Sequence, residues 1–151
     1  MFKELCSLPY ICTEMIHITR RERFTAAHRL FRPELSDSEN TATFGGCANP
    51  NWHGHNYELF VTVKGNVNTE LGYVMNLKDL SAILKSKVID KLDHKNLNLD
   101  VDFMKGIMTS TENVAIAIWN EIEKPIKEAG AALHCVRLVE TENNYVEYFG
   151  K

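Results

Sequence analysis

The sequence predicts an α+β domain: an antiparallel four-stranded sheet with two helices on one face, in the order β-β-α-α-β-β. Three observations carry this reading. Apolar residues alternate with period two in Ile16 to Leu30, Glu58 to Val63, Leu133 to Glu140 and Asn144 to Phe149. Apolar residues recur at helical spacing from Leu77 to Leu92 and from Val114 to Ile122. The helices fall between two strand pairs, an order that segregates them to one face of an antiparallel sheet.

Each element has a local reason. In the first strand Phe24, Ala26 and His28 share a face, while Arg20, Arg21 and Arg23 keep part of it solvated. Ser36 and Glu39 have capping-box spacing, so a short helix is expected over Ser36 to Phe44. Gly45, Gly46, Asn49, Pro50 and Asn51 then mark an irregular loop. The strand from Glu58 ends near Lys64, Gly65 and Asn66, and Tyr73, Val74 and Met75 read as a short extended piece. Asn76 is the expected N-cap of the next helix, with Asp79 in its first turn. Its stripe is Leu77, Leu80, Ile83, Leu84, Val88 and Leu92. Thr109 and Glu112 have capping-box spacing before a second stripe, Val114, Ala115, Ile118, Trp119 and Ile122, and Pro125 is expected to end or kink that helix. Thr141, Glu142 and Asn143 join the last two strands as a hairpin. The free sheet face is expected to carry apolar positions and to be covered in an oligomer.

The 151 residues suit one domain, read as residues 15–151, with residues 1–14 as an N-terminal extension expected to be poorly ordered. An apolar content of 44% and a charged content of 25% are those of a soluble globular protein. A net charge of −3 gives no electrostatic case for nucleic acid or an anionic membrane. No apolar run approaches a membrane span, and Glu4, Pro9 and Glu14 interrupt any leader core, so the expected location is cytoplasmic. The four cysteines, Cys6, Cys12, Cys47 and Cys135, form no Cys-x-x-Cys pair, so free thiols are expected.

Chemistry concentrates around Cys47 to Tyr57. His53 and His55 alternate, so in strand geometry both imidazoles project from one face, in line with Tyr57, Leu59 and Val61. Two imidazoles on a rigid face begin a zinc site, and catalytic zinc usually takes three protein ligands and keeps a fourth position open. His28 ends a strand that could pair with the one starting near His53; it reads either as a core histidine or as the third ligand. Asp93 and His94 read either as a solvated helix end or as an imidazole oriented by a carboxylate. Glu140 shares a face with Val136 and Leu138, so it is either wet at the strand end or an acceptor for a ligand with adjacent N–H donors.

Eight stretches, in order, resemble the 6-pyruvoyl-tetrahydropterin synthase family. They are Phe24-Thr25-Ala26-Ala27-His28-Arg29-Leu30, Leu35-Ser36-Asp37, Phe44-Gly45-Gly46-Cys47, Asn49-Pro50-Asn51, His53-Gly54-His55-Asn56-Tyr57, Leu92-Asp93-His94-Lys95-Asn96-Leu97, Ser110-Thr111-Glu112-Asn113 and Glu140-Thr141. Trp52 stands where the family usually has glycine. The resemblance implies the tunnelling fold, with trimers closing a β-barrel and two trimers stacking into a homohexamer. It implies Zn2+ on His28, His53 and His55, and a catalytic triad of Cys47 from one subunit with Asp93 and His94 from its neighbour. It implies that Glu140 anchors a pterin ring, with Thr111 and Glu112 beside it. The implied activity is a carbon–oxygen lyase of tetrahydrobiopterin biosynthesis. It takes 7,8-dihydroneopterin triphosphate to 6-pyruvoyl-tetrahydropterin and triphosphate.

Two rivals share much of this pattern. A 6-carboxy-tetrahydropterin synthase of the queuosine pathway commonly has its cysteine four positions ahead of the His-Gly-His, whereas Cys47 lies six ahead of His53. A non-catalytic zinc or pterin-binding protein would have no use for Cys47, Asp93 and His94 together. The chemistry itself asks for these groups. A metal stabilises developing charge on side-chain oxygens, a thiolate takes a carbon-bound proton, and an imidazole shuttles another.

Overall fold

The computed structural model describes residues 15–151, so the expectation for residues 1–14 lies outside the described residues. Two long strands, β1 (Ile16–His28) and β2 (His53–Gly65), pair antiparallel along their whole length. Between them lie α1 (Asp37–Phe44) and a 3₁₀ turn (Gly45–Ala48). The capping box at α1 is present, Ser36 accepting from the Glu39 amide and Glu39 from the Ser36 amide. Next, α2 (Leu77–Leu84) runs through a π-helical segment (Lys85–Ile89) into α3 (Asp90–Leu92), with Asn76 capping its start. A two-residue strand, β3 (Lys95–Asn96), and a 3₁₀ turn (Asp102–Met104) lead to α4 (Thr111–Glu128). The chain closes with β4 (Ala132–Thr141) and β5 (Asn144–Tyr148).

The α+β class holds, and the sheet is mixed rather than wholly antiparallel. Its order is β3-β1-β2-β4-β5, four long antiparallel strands plus β3, which runs parallel to β1. What read as a plain helix end at Asp93 to Asn96 therefore also extends the sheet. One face packs on the helices. Leu59, Val61, Val63, Val136 and Leu138 meet Leu80, Leu84, Val88, Ile118, Ile122 and Ile126, all with no exposed surface.

Several local expectations shift. The N-cap of α4 is Ser110, which accepts from the Asn113 amide, not Thr109. Thr109 is fully buried and serves the site described below. Pro125 sits inside α4 rather than ending it: one turn from the end, a missing N–H removes a single hydrogen bond and the helix continues to Glu128. Leu77 lies exposed in the first turn of α2, and Tyr73 to Met75 form a bend rather than a strand. The free sheet face is mainly polar. Glu58 pairs with Arg21 and Arg23, Arg137 with Glu147, Thr19 with Thr62 and Thr25 with Asn56, with Phe60 beneath the guanidinium groups. No helix among the described residues is long and apolar enough to cross a membrane.

In the β1–β2 ladder His28 faces His53, Ala27 faces Gly54 and Ala26 faces His55. A Cβ at Gly54 would lie 3.0 Å from the Ala26 carbonyl oxygen, a backbone atom that moves only if the strand moves. Gly54→Ala is therefore expected to lower stability by about 1–3 kcal/mol, the usual cost of overpacking. A drop in the urea midpoint checks this; an unchanged midpoint would mean that the strands part freely there.

Candidate metal centre and active site

Alternation along two paired strands converges three imidazoles at one end of the sheet. His28 ends β1, His53 opens β2 opposite it, and His55 follows two residues later on the same face. Their ring centroids are 4.4 Å (His28–His53), 5.2 Å (His28–His55) and 5.0 Å (His53–His55) apart. One ligand nitrogen from each can be chosen so that all lie within 4.8 Å of one another.

The protonation of the group suits a cation. His28 Nδ1 lies 2.8 Å from the Thr109 carbonyl oxygen, which can only accept, so Nδ1 carries the proton and Nε2 presents a lone pair. That Nε2 and both ring nitrogens of His53 are buried without a hydrogen-bond partner. Burial lowers the pKa of His28, His53 and His55, the main cause in each, and holds the rings neutral. Buried imidazole nitrogens without a partner are costly as they stand, and a divalent ion would take up one lone pair on each ring. These residues fit the metal expected from the sequence.

Beside the imidazoles lies a cavity of about 420 Å³, reached by His28, Cys47, Ser110, Thr111, Glu112 and Glu140, with the β4–β5 hairpin at Asn143 to Val146 closing another side. Cys47 is exposed in the 3₁₀ turn. Glu140 Oε1 accepts from the Thr111 hydroxyl at 2.8 Å and lies 3.6 Å from His28 Nε2 and 3.8 Å from His55 Nε2. Tyr57, next on the histidine face, is buried with an unpartnered hydroxyl. Burial first, and then the charge of Glu140, push its phenol pKa up, so it stays protonated.

Asp93 and His94 stand elsewhere in the chain. They follow α3 and lead into β3 alongside β1, and neither reaches the Cys47 cavity. Asp93 Oδ1 accepts from the Thr25 amide at 2.8 Å, and the His94 amide donates to the Thr25 carbonyl at 2.6 Å. The Thr25 N–H, aided by His94, holds the Asp93 carboxyl below the usual carboxylate range. Asp93 Oδ2 lies 3.0 Å from His94 Nδ1, and the imidazole, 81% exposed, points away from the protein. A φ of 59° at His94 allows this fold-back.

Thus His28, His53, His55, Cys47, Glu140, Thr111 and Glu112 share one site, and the Asp93–His94 pair lies apart from it. Sequence reasoning missed Thr109, whose contribution is a carbonyl and leaves no residue signature. It also missed the hairpin wall at Asn143 to Tyr145. Tyr57 was visible in the alternation but had no assigned part.

The arrangement has counterparts among known proteins. A 6-pyruvoyl tetrahydrobiopterin synthase from Dictyostelium discoideum is 48% identical over 134 residues, 89% of this chain and 96% of its own. The Homo sapiens protein of the same name is 44% identical over 134 residues, 89% of this chain and 91% of its own. The structure of Caenorhabditis elegans 6-pyruvoyl tetrahydropterin synthase superposes with a TM-score of 0.84 at 38% identity, covering 91% of this chain and 97% of that one. The family model described as 6-pyruvoyl tetrahydropterin synthase matches residues 17–151, from the first strand through the hairpin wall. With all three imidazoles, the thiol turn and the Glu140 wall inside that match, this chain belongs to the 6-pyruvoyl tetrahydropterin synthase family.

Proposed function

We propose that this protein converts 7,8-dihydroneopterin triphosphate to 6-pyruvoyl-tetrahydropterin with elimination of triphosphate, as a zinc-dependent lyase. The observation that carries the reading is the convergence of three neutral imidazoles within 4.8 Å beside a cavity bearing both Cys47 and Glu140. His28, His53 and His55 would hold the zinc, which when bound stabilises negative charge on the substrate's side-chain oxygens.

The remaining roles follow from position. Glu140 accepts paired N–H donors of the pterin ring and sets its orientation, with Thr111 holding the carboxylate and Glu112 beside it. Cys47 takes the carbon-bound proton as the general base. His94, oriented through Nδ1 by Asp93, moves protons at a side-chain oxygen with its outward Nε2.

In one chain His94 does not reach that cavity, so the reading places Cys47 of one subunit against Asp93 and His94 of a neighbour. Two further features support assembly. Among the described residues β3 covers only Ala26 and Ala27 on the outer edge of β1, and β5 is the other edge of the sheet. Free long edges invite pairing with another copy, here closing a barrel of three subunits, two of which stack as a homohexamer. The cavity residues include no lysine or arginine, so cations for the triphosphate come from outside this cavity.

Three outcomes test the reading. Incubation with 7,8-dihydroneopterin triphosphate is expected to yield the pyruvoyl product and triphosphate by mass spectrometry. A carboxylated pterin with acetaldehyde would instead make it the queuosine-pathway enzyme. His53→Ala is expected to lose bound zinc, from about one ion per subunit to near none, measured by metal analysis of the purified variant. Cys47→Ala is expected to keep zinc and oligomeric state while turnover falls by at least about 10²-fold, the scale of general base catalysis. Full activity in that variant would remove Cys47 from the mechanism.

A further inference from the structure

We propose that Arg29 is the positioning residue for Cys47, fastening the thiol turn to the metal-binding end of the sheet. The proposal rests on the reading of Cys47 as base. Arg29 follows His28 directly and does not reach the cavity, so it acts through its contacts. Its Nε–H donates to the Ala48 carbonyl at 2.7 Å, and Nη2 donates to Asp37 Oδ1 at 2.6 Å. The Leu30 amide donates to the Cys47 carbonyl at 2.8 Å. Residues 29 and 30, just beyond His28 of β1, therefore hold the carbonyls of Cys47 and Ala48, the two that follow the thiol in the turn.

The same guanidinium organises the other approach to the centre. It lies 4.8 Å over the Phe31 ring, whose neighbour at 6.5 Å, edge to face, is Trp52. Trp52 directly precedes His53 and holds φ at 67°, a left-handed conformation that bulky residues rarely adopt. The backbone of Arg29 is itself pinned. Its N–H donates to Asn98 Oδ1 at 3.0 Å, and its carbonyl accepts from Asn98 Nδ2 at 3.0 Å and from the Thr109 hydroxyl at 3.2 Å. Thr109 is the residue whose carbonyl orients His28. One rigid fork thus references the thiol to the same framework that holds the imidazoles. A lysine has a single nitrogen at its tip and cannot reproduce that planar double contact.

The test uses the full-length zinc-loaded protein with Arg29→Met and Arg29→Lys. Zinc content, amide hydrogen exchange at Leu30 and residues 45–48, and kcat and KM for 7,8-dihydroneopterin triphosphate are measured. Both variants are expected to keep zinc, while exchange in the turn rises about tenfold. In Arg29→Met kcat should fall about 10- to 100-fold with KM within about threefold, the scale of a reacting group displaced by about 1 Å. Arg29→Lys should recover only part of kcat. Unchanged exchange in both variants would overturn the proposal, as would faster exchange with wild-type kcat. If Arg29→Met fails to fold, Arg29→Lys decides by the same criteria. A wild-type protein inert toward the triphosphate would sink the functional reading instead, and exchange alone would still decide whether Arg29 fastens the turn.

Discussion

The site depends on one hydrogen-bonded register, with His28 opposite His53 across β1 and β2. Because side chains alternate, that single pairing also brings His55 to the same face, beside Ala26. A slip by one residue would carry both β2 histidines to the polar outer face and leave His28 facing Gly54. The pairing is held far from the histidines as well. Thirteen consecutive partners run from Ile16–Gly65 to His28–His53. Phe24 stacks on Tyr57 at 4.9 Å directly below the imidazoles, and the buried run Tyr57, Leu59, Val61 and Val63 faces the helices. Moving the register would expose that run, so core burial and metal geometry impose the same alignment.

Much of this was legible in the sequence because period-two alternation encodes both the core and the ligands. Phe24, Ala26 and His28, and likewise His53, His55 and Tyr57, were placed on common faces, and the structure puts them there. The capping boxes were less reliable guides. Ser36 and Glu39 behave as their spacing suggests, yet at α4 the same spacing named Thr109, one residue early. The error is physical. Thr109 is recruited by His28, Arg29 and Asn98, and those tertiary contacts outweigh its capping preference.

What the sequence hid lies mostly in backbone groups and in the outer sheet face. β3 joins the sheet through the His94 and Leu97 amides, while the Asp93 carboxylate receives the Thr25 amide as a strand carbonyl would. No periodicity signals a ladder that is part side chain. The outer face does carry apolar members such as Phe60 and Val139, but Arg21, Arg23, Glu58 and Arg137, which pair with one another or with Glu147, lie among them. Asp93 and His94 were recognisable as a pair, but their separation from the Cys47 cavity was implied only by the family resemblance and not by the residues themselves, since adjacency in sequence says nothing about which wall of a sheet a loop follows.

Glu140 poses the sharpest electrostatic demand. A carboxylate 3.6 Å and 3.8 Å from two ligand nitrogens would tend to become a ligand itself when a dication arrives. Under the proposed reading it must instead stay available to the pterin. Thr111 donates its hydroxyl to Oε1, the oxygen nearest the imidazoles, and so competes there with a cation. That bond draws charge from the oxygen facing the metal and ties it to the start of α4. Under that reading Oε2 would be the oxygen left to accept from the pterin. Under the proposed reading the Thr111 hydroxyl would thereby help keep the metal-binding and ring-recognising groups apart, although both occupy the same few ångströms.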